Sequence, residues 1–367
     1  MLFRSEAGRV GGGASGRNGG FLSSSLTHGL PHGARTWPDE LDTLVRLGHE
    51  NLEAIERLVD AEAIEADLRR CGTLQVATRP HELAGLDEEA ALLVAHGDRA
   101  ERWDAETTRR DIDSPTYLGA VRQRSGYDLV DPARLAEGLA RVARSRGVTI
   151  AEGTPATAIG TDEAGHVTIE TPGGRLIADR AIVATGVYPS PLRRLRAWIL
   201  PVYDHVLMTE PLSAAQWAAI GWAEREGVSD SGNRFHYYRP TADGRILFGG
   251  WDATYHAGGR VRTAYEQQDS THELLARHFF ETFPQLEGLR FSHRWGGPID
   301  TTSRFTAFFG RALGGRAAYA VGYTRLGVGA TRFGALVALD LADGRATERT
   351  GLRMVRRKPV QIGRAHV

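Results

Sequence analysis

The sequence predicts an α/β fold with a second, α+β domain built on an antiparallel sheet, and three observations predict it. A glycine-rich stretch, Gly11-Gly-Gly-Ala-Ser-Gly-Arg-Asn-Gly-Gly20, stands near the start of the chain. Two apolar strands, 180–185 and 319–321, run into glycine turns at Thr185-Gly186 and at Gly322, and the second turn opens an apolar helix. Open α/β sheets admit ligands at such carboxyl ends of strands. From 201 to 294 the pattern changes to aromatic-faced alternation at 202–209, 234–240 and 245–250, as in an antiparallel sheet with one buried face.

Six glycines in ten residues form neither a core strand nor a stable helix, because glycine loses too much backbone freedom in either. Such a loop instead brings backbone N–H groups close to an anion, with Ser15, Arg17 and Asn18 as further donors. A flexible linker is the other reading, although linkers rarely place an Arg-Asn pair between glycines. Gly11, Gly13 and Gly16 satisfy G-x-G-x-x-G, which carries meaning only after a strand and before a helix. The ten residues upstream are too polar and too short for a buried parallel strand, so this is not the primary dinucleotide fingerprint.

Glu6-Ala-Gly-Arg-Val10 followed by GGGASGRNGG resembles the second half of the FAD-binding βαβ unit of the D-amino-acid-oxidase-like flavoenzymes, a superfamily holding glycine, sarcosine and γ-glutamylputrescine oxidases. The resemblance covers nearly the whole chain. It implies a glutathione-reductase-like FAD-binding domain, incomplete at its N-terminus, over 6–36, 130–200 and 300–345. A substrate domain then takes 37–129 and 201–299. It implies that Glu6 binds the adenosine ribose and that Ser15, Gly16, Arg17, Asn18, Gly19 and Gly20 pass under the pyrophosphate and flavin. Ala156, in Thr154-Pro-Ala-Thr-Ala158, is placed at the adenine, and Thr185 and Gly186 at a second FAD contact.

The ends of the chain read differently. Leu2-Phe-Arg-Ser5 and Ile362-Gly-Arg-Ala-His-Val367 can be encoded by opposite strands of one overlapping oligonucleotide, as translated sequencing adapter would be. Residues 1–5 and 362–367 are therefore expected to be non-native and set aside from fold reasoning. On that expectation the first strand, its glycine turn and the first helix are missing.

Composition bounds the rest. At 367 residues the chain exceeds one ordinary domain, and no apolar run approaches the ~20 residues of a membrane span. Lys+Arg and Asp+Glu balance at 45 each, so no global field favours nucleic acid. The single Cys71 excludes an intrachain disulfide and a cysteine metal cluster, and with no signal peptide visible a cytoplasmic protein is expected.

In chain order, Trp37-Pro38-Asp39 opens a helix whose Leu41, Leu44, Val45, Leu52, Ile55, Leu58 and Val59 form one apolar stripe. A short strand at 73–78 and an amphipathic helix at 80–96 follow. Asp131-Pro132 caps a helix buried through Leu135, Leu139 and Val142, and 148–150 reads as a parallel strand. A hairpin turns at Pro172-Gly-Gly174. After the aromatic strands comes a helix at 263–283, and His236, Tyr237, Tyr238, Trp251, Tyr255 and His256 cluster in this region. Each aromatic is core packing or pocket wall, and alternation alone does not decide which.

The last signal, Gly322-Tyr-Thr-Arg-Leu-Gly-Val-Gly-Ala-Thr331, points N–H groups and the positive end of a helix dipole at whatever sits above it. A helix merely entered through glycines is the alternative. The resemblance implies flavin contacts from Gly322, Tyr323, Leu326, Gly327, Val328 and Gly329, with Arg325 standing where relatives carry a second glycine. It implies oxidation of a C–N bond of a small amine or amino acid by hydride transfer to flavin N5, with reoxidation by dioxygen or another electron acceptor. A dehydrogenase, or a truncated fragment unable to hold FAD, is the competing expectation. Arg304 is the candidate for a substrate carboxylate, because its fork matches one bidentately, and Trp251 and Tyr238 are the other catalytic candidates. Several relatives activate dioxygen with a lysine; here Lys358 is the only lysine, so that role falls to Arg or His, or the enzyme uses another acceptor. Cys71 lies far in sequence from the C-terminal flavin loop where some relatives attach FAD, so noncovalent FAD is expected.

Overall fold

A computed structural model describes residues 2–362. Of the C-terminal segment 362–367, only Ile362 falls within them; its N–H donates to Ala197 at 2.7 Å.

The strand Ala317–Val321 is buried at every position because it is covered on both faces. Ala181–Val183 pairs with it in parallel on one side and Phe308–Ala312 antiparallel on the other. Helix Gly327–Asp343 closes one face through Phe333, Val337 and Ala338, and packs against the long helix Leu41–Ala61. Leu192 and Leu195 join Tyr319 and Val321 on the other face. Leu2–Ser5 forms a strand parallel to Val148–Ala151, in register from Leu2↔Val148 to Ser5↔Ala151.

Helix Pro132–Ser145 begins where Asp131 accepts the N–H groups of Ala133 and Arg134, each at 3.0 Å. Its buried side is Leu135, Ala140 and Val142, whereas Leu139, expected inside, is 40 % exposed. The line of closest approach falls on Gly138, where a Cβ would stand 2.3 Å from Ile64, so the residue after it turns outward.

The largest sheet has eight strands in the order Phe291–Thr301, Leu200–Thr209, Ile246–Gly250, His236–Pro240, Gly227–Asp230, Thr73–Ala77, Gly119–Gln123 and Ala100–Asp104. Only the pair Gly227–Asp230 with Thr73–Ala77 is parallel. Helix Asp269–Thr282 lies on one face, and Leu275, Phe279 and Phe283 meet Tyr238, Phe248 and Trp222 there in a core without solvent access. The expected single helix at 263–283 is a 3₁₀ turn, Thr263–Glu266, followed by this shorter helix, because Gln267 and Gln268 take extended angles. Thr154–Thr157 forms no strand; pairing starts at Ala158, after Pro155, which has no N–H to give a ladder.

Alternation along His236–Pro240 fixes what the sheet offers to each side. His236 and Tyr238 face the helix, stacking on Phe248 at 4.9 and 5.1 Å between ring centroids. Tyr237 and Arg239 face the opposite way, toward the 11–20 loop: Arg239 Nε donates to Gly19 O at 2.6 Å and Nη2 to Val130 O at 3.0 Å. Among the described residues no helix is long and apolar enough to cross a membrane.

Candidate functional site

The 11–20 loop holds its own shape. Asn18 Oδ1 accepts Gly20 N–H at 2.8 Å, while its Nδ2 donates to Ala14 O and Ser15 O at 2.9 and 3.2 Å. Asn18 therefore staples the loop rather than offering a free donor, and Ser15 is exposed. Neighbours press close on Gly13 and Gly19. A Cβ at Gly13 would lie 3.0 Å from the Tyr188 ring, and one at Gly19 would lie 2.6 Å from the Tyr237 ring. Glu6 spends its carboxylate on Arg4 at 2.9 Å and on Gly8 N–H at 3.3 Å. Its backbone and that of Gly8 bond to Thr154 and Gly153, which brings this segment beside the turn leading to Ala156.

Three glycine-rich segments far apart in sequence meet through two side chains and one backbone carbonyl. Tyr188, whose N–H donates to Thr185 O at 3.1 Å, ties the Thr185-Gly186 turn to the 11–20 loop through Gly13 and through Arg17 Nη2, 3.2 Å from its hydroxyl. Asp300 ties the same turn to the last segment: Gly322 N–H donates to its Oδ2 at 2.6 Å, and that oxygen lies 3.7 Å from where a Gly186 Cβ would stand. Tyr323 and Thr324 N–H groups also turn toward Asp300, yet burial outweighs them and pushes its carboxyl up to about 6. The third tie is backbone to backbone. Gly329 sits so close to Ser23 O that a Cβ would be 2.2 Å away, and Asn51 Nδ2 holds Gly329 O at 2.9 Å.

The polar groups left over fit an elongated anionic ligand. No side chain caps helix Gly327–Asp343, so the N–H groups of Gly327, Val328 and Gly329 keep their capacity and the dipole's positive end. Thr185 Oγ1 and Arg17 Nε are buried without a partner, a state that costs free energy until something bonds them. Above the last loop, Arg325 takes left-handed backbone angles (φ 71°) and lies 3.7 Å from Asp204 Oδ2, which also accepts the Tyr237 hydroxyl at 2.9 Å. His28 is half-buried beside Thr324 and Arg325, and desolvation followed by His32 and Arg325 lowers it to about 4, so it is neutral near pH 7. A small cavity of about 40 Å³ lined by Ser24, Leu26, Thr27 and Gly29 has room for water and not for a dinucleotide.

A family model described as FAD dependent oxidoreductase matches residues 5–340. The chain belongs to the FAD dependent oxidoreductase family. It is 31% identical over 351 residues to the γ-glutamylputrescine oxidoreductase of Escherichia coli K12, covering 93% of this chain and 78% of that one. It is 27% identical over 315 residues to a D-amino acid dehydrogenase of Cereibacter sphaeroides, covering 83% and 68%. Among solved structures, the fold matches glycine oxidase from Geobacillus kaustophilus with a TM-score of 0.75 at 20% identity, over 98% of this chain and 92% of that one. FAD is the cofactor of the family, and the unpartnered groups around Arg17, Thr185 and Gly327–Gly329 are those that could hold it.

The three expected catalytic side chains stand elsewhere. Arg304 turns its guanidinium onto the carbonyls of Thr306, Ala307 and Arg357 and over the Trp37 ring, 5.5 Å from its centroid. Burial and Arg357 lower it to about 10, and its donors are occupied by a structural task. Tyr238 bonds the Tyr117 hydroxyl at 2.6 Å inside the aromatic core. Trp251 stacks on His236 at 4.8 Å, on the helix side of the sheet. Both aromatics lie on the helix side of the sheet, whereas alternation turns Tyr237 to the side of the 11–20 loop. Tyr323 likewise sends its ring inward, where a Gly334 Cβ would be 2.1 Å from its hydroxyl, and offers only backbone. Leu326 is the residue before the helix and packs against its core. Asp300, Asp204, Tyr188 and Glu266 went unnoticed, since isolated acids and tyrosines between strands carry no local signal.

Proposed function

We propose that this protein oxidises a C–N bond of a small amine or amino acid, with hydride passing to flavin N5 and dioxygen as terminal acceptor, releasing peroxide. The observation that carries this reading is the junction of the three glycine-rich segments through Tyr188, Asp300 and the Ser23 carbonyl. The names of the relatives, an oxidoreductase of γ-glutamylputrescine and an oxidase of glycine, supply the substrate class.

When bound, FAD supplies the hydride acceptor. Residues 185–186 and 11–20 would hold its dinucleotide, noncovalently since Cys71 lies elsewhere and burial raises its thiol to about 11. The uncapped start of helix Gly327–Asp343 would face the flavin edge on which negative charge develops. Arg325 is then the cation for a substrate carboxylate or for the acceptor, held in place by Asp204, which Tyr237 fixes from the other side. His28, neutral at physiological pH, adds no second positive charge beside Arg325.

The test is to mix the FAD-loaded protein without air with panels of amines, amino acids and hydroxy acids and to follow the visible flavin absorption. Bleaching by members of the first two panels, with one peroxide formed per substrate once air is admitted, is expected. Bleaching by hydroxy acids alone contradicts the C–N assignment. Bleaching without peroxide assigns another electron acceptor and makes the protein a dehydrogenase.

A further inference from the structure

Arg17 is gripped at both ends by residues far from its own loop. Its Nη1 donates to Glu266 Oε2 at 2.6 Å and its Nη2 to Glu266 Oε1 at 3.2 Å, a two-point contact in which each guanidinium nitrogen meets its own oxygen. Its carbonyl accepts the Trp295 indole N–H at 2.9 Å. Glu266 ends the 3₁₀ turn Thr263–Glu266 and Trp295 lies on the edge strand Phe291–Thr301, so both belong to the eight-stranded sheet and its connections. The side chains of Arg17 and Glu266 are 28% and 16% exposed, which leaves the pair less screened than a surface contact. Glu266 takes one N–H from each terminal nitrogen and Tyr188 the second of Nη2, while Nε is buried and without a partner.

We infer that Glu266 is a positioning residue for the cofactor loop: by fixing Arg17 before FAD arrives, it sets the affinity of the 11–20 loop for FAD from a connection of the eight-stranded sheet. The inference rests on the FAD reading above. An arginine side chain has several rotatable bonds, and a binding loop that must freeze one on association loses affinity for it. The Glu266 contact does that freezing in advance. It also keeps the guanidinium against Tyr188, whose ring lies over Gly13, so that side chain, carbonyl and glycine turn are set together.

A double-mutant cycle on the full chain, stripped of FAD and titrated with it while flavin fluorescence is followed, tests this directly. Glu266→Gln is expected to weaken FAD binding by about tenfold, the factor that corresponds to ordering one long side chain, with the melting temperature of the stripped protein unchanged. In an Arg17→Met background the same substitution is expected to change affinity less than twofold, because Glu266 then has nothing to hold. Trp295→Phe, which frees the Arg17 carbonyl and leaves the ion pair, is expected to weaken binding in both backgrounds. Equal or tighter binding by Glu266→Gln overturns the inference, as does a full additional loss in the Arg17→Met background. A wild-type chain that binds no FAD overturns the FAD reading and this inference together, whereas tight wild-type binding with an inert Glu266 overturns this one alone.

Discussion

The two faces of the strand His236–Pro240 differ in kind although they share one backbone. On the helix side His236 and Tyr238 sit among Phe248, Phe279, Phe283 and Trp222, and the Tyr117–Tyr238 hydroxyl pair satisfies itself. On the other side Tyr237 and Arg239 reach Asp204, Gly19 and Val130, with Arg325 and an incompletely bonded Arg17 nearby. A period of two residues assigns neighbours in sequence to opposite tasks. The dry face is finished, and the side toward the 11–20 loop holds polar groups with capacity to spare.

The comparison is broken most forcefully from the dry face. Phe248→Ala empties a fully buried ring position and is expected to cost about 3–5 kcal/mol in denaturant unfolding, while the FAD affinity of the folded fraction stays as it was. A parallel loss of affinity would mean that the two faces are not independent.

Smaller effects are expected where the loops meet. Gly329→Ala drives a Cβ toward Ser23 O. It is expected to cost about 1–3 kcal/mol as overpacking does and also to weaken FAD, because the helix start must back away from the loop. The two arginines then separate structure from chemistry. Arg304→Met leaves the Thr306, Ala307 and Arg357 carbonyls without their donor and is expected to lower stability by about 1–3 kcal/mol, with KM unchanged. Arg325→Met is expected to leave stability nearly intact and to raise KM or lower kcat. The reverse pattern would restore Arg304 as the substrate contact.

The smallest expected effect lies at the dry end of the sheet. Glu226 is fully buried, and burial followed by Asp111 raises its carboxyl to about 8. The folded chain keeps that proton to a higher pH than the unfolded chain, so the group's contribution to stability is present below its ordinary range and is lost as pH rises toward 8. Glu226→Gln is expected to flatten the fall in melting temperature between about pH 5 and pH 8; an unchanged slope would assign the fall to other groups.

What was legible in the sequence follows the range of the forces that produce it. The Asp131-Pro132 cap, the apolar stripe from Leu41 to Val59 and the strand at 319–321 depend on neighbours a few residues away, and the structure has all three, the strand starting two residues earlier at Ala317. The glycine-rich segments were visible because close approach excludes side chains, as at Gly13, Gly19 and Gly329. Leu139 was misplaced because helical spacing does not reveal that Gly138 takes the contact. The carbonyl contacts of Arg304 were not legible because a guanidinium bound to backbone looks, in sequence, like one free for a carboxylate. Asp300 and Glu266 were invisible because their partners lie 22 and 249 residues away.

The central claim is that residues 11–20, 185–186 and 322–329 together hold one noncovalent FAD. Acid precipitation of the FAD-loaded protein, with flavin measured in supernatant and pellet, tests it most directly. The account predicts one FAD per chain, all of it in the supernatant. A chain that takes up no flavin, or flavin that stays with the pellet, would contradict it.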